Sequence, residues 1–140
     1  MNSAIDSTST VDAHAVPNHQ RLQMLPKHFG QHMLTIENAI YSFMRTLSSQ
    51  YRGAYWNFFE LSNGGFYMAP ESKNMFNICV EGNGFEGEMS ADAAGITACL
   101  FAFSHLSFHI DDDTIATHYY WLRDFAMDHP EVRAILAATD

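Results

Sequence analysis

The segment from Ser90 to about Phe108 constrains the fold more than any other part of the chain. It is rich in Ala, Leu and Phe and is apolar on almost every side of a helix. Such a helix is stable only when other elements surround it, so we predict a central buried helix. Ser90 is a suitable N-cap, and Asp92 lies in the first turn, where the helix dipole favours an anion.

Strand patterns precede this helix. The stretch from Tyr55 to Leu61 is aromatic and roughly alternating, which favours a strand. The run Ser62-Asn63-Gly64-Gly65 predicts a hairpin turn with positive φ at both Asn63 and Gly64. A second turn is expected at Gly82-Asn83-Gly84. We therefore predict a meander of three to four antiparallel strands, over 55–61, 65–69, about 75–81 and 85–89.

Helical patterns stand on both sides of the strands. Pro26 precedes a helix that we expect to end at Arg52-Gly53, and its apolar stripe comprises Met33, Ile36, Ile40, Phe43, Met44, Leu47 and Tyr51. After the central helix, Asp113 or Thr114 is expected to cap a helix that runs to about Ala126.

A short last helix is predicted from Asp128, with Pro130 at its first position and Glu131 completing a capping box. The elements are thus segregated along the chain, which indicates an α+β fold: a small antiparallel meander packed against about four helices, one of them central and buried. We place five side chains between the meander and the central helix: Trp56, Phe58, Leu100, Phe101 and Phe103.

The domain organisation follows from the length of 140 residues, which suits one domain. Residues 1–20 are polar and lack periodicity, so we predict a flexible N-terminal tail before a single domain over 21–140. Cys79 and Cys99 lie in apolar runs and are expected to be buried free thiols. No secretory signal is visible, and the apolar stretch from Ile96 to Phe103 is too short to cross a membrane, so we expect a cytoplasmic protein.

The charge balance restricts the partners. There are 7 Lys and Arg against 16 Asp and Glu, a formal net charge of −9. Because Lys and Arg are needed to displace counterions from DNA, we expect no direct binding to duplex DNA. Anionic membranes are disfavoured for the same reason. The oligomeric state stays open, with a monomer favoured.

Two motifs leave an enzymatic alternative open. Gly82-Asn83-Gly84-Phe85-Glu86-Gly87 has the GxGxxG spacing of a dinucleotide site, but three Glu residues in or beside it and the late helix start oppose that interpretation. His105, His109 and Asp113 are spaced like metal ligands on one helix. A small metal-dependent or nucleotide-binding enzyme is therefore the alternative hypothesis, although we assign no catalytic, cofactor or metal residues.

Several stretches together resemble the ArdB/KlcA family of antirestriction proteins. The most specific is the run from Glu60 to Pro70, supported by Leu25 to Gly30, the GxGxxG run and Ser90 to Ile96. The resemblance covers about residues 21–136. It implies a small α+β protein, carried by conjugative plasmids and other mobile elements, that protects incoming DNA from host type I restriction enzymes. It implies no catalytic residues.

The resemblance leads to a hypothesis about mechanism and contact site. The expected partner is a type I restriction-modification enzyme or its complex with DNA. Simple DNA mimicry is disfavoured by a comparison of charge. B-DNA as long as a compact domain of this size carries on the order of 20 phosphates, whereas this chain has a net charge of −9. The hairpin tip at Asn63 needs only a structural role. We therefore expect a protein contact through acidic residues: Asp111, Asp112, Asp113, Asp124, Asp128 and Glu131.

Overall fold

Helices and strands are segregated along the chain, as the sequence predicts. A computed structural model describes residues 10–140, and the class is α+β. The elements within this range are β1 (Ala13–Ala15), α1 (Arg21–Phe29), α2 (Met33–Leu47), β2 (Trp56–Leu61), β3 (Phe66–Pro70), β4 (Phe76–Val80), β5 (Phe85–Met89), α3 (Ala91–Ser107), α4 (Asp113–Met127) and α5 (Val132–Thr139).

Helix α3 is the predicted central helix. It contacts α2, α4, α5 and strands of both sheets. The Ser90 hydroxyl accepts a hydrogen bond from the Ala93 N–H at 3.1 Å, which confirms the predicted cap. Leu100 and Phe103 are fully buried, whereas Phe101 lies half-buried on the outer side of the helix and stacks on Phe43. The core position predicted for Phe101 is therefore wrong.

The strands from β2 to β5 match the predicted bounds to within about a residue, but they do not form one continuous meander. They divide into a sheet of order β1-β2-β3 and a separate pair, β4-β5. The cause is α3, which lies along the outer edge of β3. A Cβ built on Gly95 would stand only 2.5 Å from the Ala69 Cα, and the Cys99 thiol lies 3.5 Å from the Met68 carbonyl oxygen. The helix thus occupies the position that a next strand would need.

The predicted tail over 1–20 is wrong in its second half. Strand β1 pairs antiparallel with β2, and Ala13 lies opposite Leu61. The Val16 N–H continues this pairing with a 2.8 Å hydrogen bond to the Phe58 carbonyl. These backbone bonds extend the sheet by a strand, so the folded domain includes residues before Arg21. Residues 1–9 lie outside the described range, and the prediction for them stays a prediction.

The helices before the sheet also differ from the expected bounds. Pro26 lies inside α1 rather than ahead of a helix, and α2 ends at Leu47. Gly30, with φ +54°, separates the two helices, because it ends α1 in a conformation that other residues rarely adopt. Of the two cysteines, Cys99 is buried as predicted, but Cys79 is exposed on β4.

Candidate functional site

The acidic turn, Asp111–Asp113, connects α3 to α4. Asp112, and not Asp113 or Thr114, is the N-cap of α4: its Oδ1 accepts from the Thr114 N–H at 2.9 Å. The contacts with Thr114 lower the pKa of Asp112. Its other oxygen lies 3.5 Å from the His32 Nε2. Asp112 therefore has structural partners, whereas the side chains of Asp111 and Asp113 are exposed and unpaired within residues 10–140.

An aromatic ring stands directly beside these free carboxylates. Phe108, the residue after α3, is 84% exposed. It lines a shallow depression together with His109 and the three aspartates of the acidic turn. Sequence reasoning missed Phe108, because a segment that is apolar on every side does not reveal which of its residues faces solvent. We call Phe108, Asp111 and Asp113 the Phe108 site.

The remaining predicted contact residues do not join this site. Asp124 and Asp128 are exposed, but α4 separates Asp128 from the acidic turn. A helix of 15 residues is about 22 Å long. The six predicted acidic side chains therefore do not form one cluster.

Glu131 belongs to a different structure. Its carboxylate accepts from the Ser90 N–H at 2.8 Å and also from the Ser90 hydroxyl. In a capping box, the Glu three positions into the same helix makes that backbone contact. Here Glu131, which precedes α5, supplies the contact to α3. The predicted capping box at the start of α5 is therefore wrong.

Next to Ser90, a partly buried chain of hydrogen bonds joins a carboxylate to a histidine. Asp92 accepts from the Tyr67 hydroxyl at 2.7 Å, and the His129 Nε2 lies 2.8 Å from its other oxygen. The His129 Nδ1 accepts from the Glu131 N–H at 3.0 Å. Both ring nitrogens are thus occupied, so neutral His129 has no free position from which to activate a nucleophile.

The residues of the enzymatic alternative are not brought into working geometry. Helix α3 ends at Ser107, so Asp113 lies on another helix than His105, and residues 10–140 contain no group of three or more side chains suited to holding a metal ion. Gly82-Asn83-Gly84 forms the turn between β4 and β5, and the helix that follows this hairpin begins only at Ala91. Burial raises the pKa of the Cys99 thiol to about 12, which makes it a poor nucleophile.

Two of the seven basic residues, Arg21 and Lys27, are held by contacts within the fold. Arg21 is sandwiched between the rings of Tyr55 and Phe58, with its guanidinium carbon 4.5 and 4.2 Å from their centroids. Lys27 pairs with Glu60 at 2.8 Å.

None of the helices within the described range is long and apolar enough to span a membrane.

Comparison with known proteins identifies relatives along nearly the whole chain. KlcA from Escherichia coli, an antirestriction protein, is 46% identical over 135 residues, covering 93% of this chain and 95% of the relative. The uncharacterised protein YafX of E. coli K12 is 42% identical over 132 residues, covering 89% and 85%.

A solved structure from the same group has a very similar fold. It superposes with a TM-score of 0.89 at 46% identity and covers 100% of both chains. This structure represents the KlcA and ArdB proteins. Those proteins have a novel fold and show antirestriction activity against type I DNA restriction systems in vivo but not in vitro. The family model for antirestriction proteins matches residues 49–140. The chain therefore belongs to the antirestriction protein family.

Proposed function

We propose that this protein relieves type I restriction of incoming DNA inside the cell by contacting a protein, without catalysis. The likeness to KlcA and ArdB supports the first part, since those proteins act against type I systems in vivo. Their inactivity in vitro favours a mechanism that needs a further component of the cell. The partner is a type I restriction-modification enzyme or its complex with DNA, which places the protein in the cytoplasm.

The observation that carries the contact hypothesis is the exposure of Phe108 beside two unpaired carboxylates. Exposed aromatic rings supply much of the binding energy in protein interfaces when they enter a pocket of the partner. Carboxylates around such a ring attract and orient a basic surface. The Phe108 site therefore fits a partner that has an apolar pocket bordered by Lys or Arg.

Catalysis and DNA mimicry receive less support from the structure. The Asp92–His129 pair is occupied by backbone and side-chain contacts. Acidic residues at the two ends of α4 are separated by the length of that helix, so they do not form the continuous stripe of charge that a DNA mimic needs. We propose a monomer as the active form.

A plating assay tests the contact hypothesis. Unmodified phage is plated on a host with an active type I system, with and without the wild-type chain and its variants at matched expression. The wild-type chain should raise plating efficiency. Phe108→Ala and the double variant Asp111→Asn/Asp113→Asn should lose most of that relief, because they remove the ring or the charges without touching the Asp112 cap.

The matched control is Asp124→Asn/Asp128→Asn, which removes the same charge at the other end of α4. It should plate like the wild-type chain. Full relief by both Phe108-site variants would place the contact elsewhere. Equal loss in the control would point to total charge instead of a local contact. No relief by the well-expressed wild-type chain would contradict the proposed function itself.

A further inference from the structure

Strand β4 has an open edge. Its sheet contains β5 as the other strand, so no strand within residues 10–140 pairs with the other side of β4. On that side the Asn77 N–H donates to the Gln50 Oε1 at 2.7 Å. Cys79, two residues later, directs its N–H and C=O to the same side. Within residues 10–140 neither group of Cys79 has a hydrogen-bond partner on this edge.

An apolar groove adjoins these free backbone groups. It has a volume of about 380 Å³, and Cys79 and Val80 form one wall. The opposite wall includes Leu47 at the end of α2 and the stacked rings of Phe43 and Phe101, whose centroids are 5.6 Å apart. Apolar surface of this kind lowers the free energy when another side chain covers it.

The combination of a strand edge and a groove specifies the geometry of what can bind. An unpaired N–H and C=O on one strand residue are matched by the backbone of an extended segment, while the groove accepts one of its side chains. Glu81 is exposed at the end of the groove and has no ion-pair partner within the described range. A Lys or Arg in the bound segment would therefore be favoured next to it.

A second copy of the chain fits this edge poorly. If two β4 strands paired antiparallel about Cys79, the Glu81 of one copy would face the Asn77 of the other. That position is already covered by the side chain of Gln50. The open stretch is too short for two equal strands but long enough for a few residues of an extended peptide.

We propose that the β4 edge binds an extended peptide segment of another protein. The peptide pairs with the N–H and C=O of Cys79, places an apolar side chain against Phe43 and Phe101, and directs a basic residue to Glu81. This surface is separate from the Phe108 site, which lies about 10 Å further along α3 from Phe101. It is tested by peptide binding alone and does not depend on the outcome of the plating assay.

The test uses a phage-displayed library of random dodecapeptides selected on the full-length protein. Enriched peptides are synthesised, and their affinities are measured by fluorescence anisotropy. We expect an apolar residue near a Lys or Arg in the enriched sequences. Cys79→Pro removes the edge N–H and should weaken binding about tenfold, the equivalent of one hydrogen bond. Cys79→Ser keeps the N–H and should bind like the wild-type chain, whereas Glu81→Lys should weaken binding of the basic peptides.

Amide hydrogen exchange provides a readout that does not depend on how well Cys79→Pro folds. In the wild-type chain the Cys79 amide should exchange rapidly, and adding an enriched peptide should protect it. Unchanged exchange at Cys79 would overturn the proposal, as would the absence of enriched peptides or equal binding to Glu81→Lys. A dimer in light scattering that Cys79→Pro dissociates would identify a second copy as the occupant and would also overturn it.

Discussion

Asn63 and Asn83 make the same pair of contacts at the tips of the two hairpins. The Oδ1 atom of each accepts from the backbone N–H two residues later, and the Nδ2 atom donates to a backbone carbonyl of a helix. For Asn63 the partners are Gly65 and Trp121 of α4, both at 3.0 Å. The Asn-Gly pairs therefore shape their turns and also attach them to helices.

The Asn83 contacts explain the GxGxxG run without a ligand. Its Oδ1 accepts from Phe85 at 2.9 Å, and its Nδ2 donates to the carbonyl of Ala138 at the end of α5, also at 2.9 Å. The last carbonyls of a helix lack partners within the helix. Asn83 supplies one, which links the β4-β5 hairpin to the C-terminal helix.

In both hairpins the glycine after the asparagine has positive φ, +104° at Gly64 and +77° at Gly84. No asparagine within residues 10–140 has a positive φ, so the positive φ predicted for Asn63 is wrong.

Asn63→Ala should lower the free energy of unfolding by about 1–3 kcal/mol, because it removes two hydrogen bonds at a half-buried position. The free energy of unfolding of Asn63→Asp should lie between those of the wild-type chain and Asn63→Ala, since the aspartate keeps the acceptor for Gly65 but loses the donor. Urea unfolding measures both. Asn74→Ala in an exposed loop is the control and should change stability by less than about 0.5 kcal/mol. Equal stability of Asn63→Ala and the control would contradict the docking role.

Gly95→Ala should destabilise the protein, although alanine favours helices by about 1 kcal/mol over glycine. The new Cβ would lie 2.5 Å from the Ala69 Cα and 2.6 Å from the Met68 carbonyl oxygen, so α3 must move away from β3. Overpacking of this kind lowers stability by about 1–3 kcal/mol. Ser104→Ala on the outer side of α3 is the control in the same urea experiment. A more stable Gly95→Ala variant would show that α3 does not lie against the β3 edge.

Leu100→Ala and Phe101→Ala should differ, although the residues are neighbours. Leu100 is 1% exposed, so truncation should lower the free energy of unfolding by about 2–5 kcal/mol. Phe101 is half-buried, and its loss should be smaller because solvent can fill the space. Denaturant melts of the two variants check the order, and a larger effect at Phe101 would reverse the assignment of the buried face of α3.

His118 should make stability fall in mild acid. It is 2% exposed, and its Nδ1 has no hydrogen-bond partner within residues 10–140. Burial, followed by the charge of nearby His28, lowers its pKa from 6.5 to about 4. The unfolded chain therefore binds the proton more readily below pH 6.5, and folding stability decreases as the pH falls from there towards 4.

The expected size of this effect is about 2 kcal/mol between pH 7 and pH 5. Unfolding measured at both pH values checks it. His118→Phe should reduce the pH dependence, whereas the control His19→Gln in an exposed turn should keep it. An unchanged pH dependence in His118→Phe would contradict this assignment.

The protein should not bind duplex DNA at physiological salt. Arg21 and Lys27 are held by contacts within the fold, the seven basic residues stand singly along the sequence, and the net charge is −9. Anisotropy titration with a labelled duplex should therefore give a dissociation constant weaker than about 100 μM. Micromolar binding that weakens with salt would contradict this prediction.

Local features of the sequence determined the class and most element bounds of this protein. The Ser90 cap, the aromatic alternation before Leu61 and the glycines of the turns act within a few residues, so the strands and the central helix could be predicted from their own segments. The family likeness was also visible in the sequence, because its motifs consist of short runs around the same turns.

Only the tertiary structure decided which segments meet. Glu131 supplies the cap contact of Ser90 from 41 residues away, and Gly95 places α3 on the edge of β3 in place of a further strand. Phe108 is exposed because the elements packed on α3 cover the other faces of this helix. An evenly apolar segment does not reveal which of its residues will stay exposed. These outcomes depend on packing between distant segments, and local patterns contain no information on which face of one element will meet another.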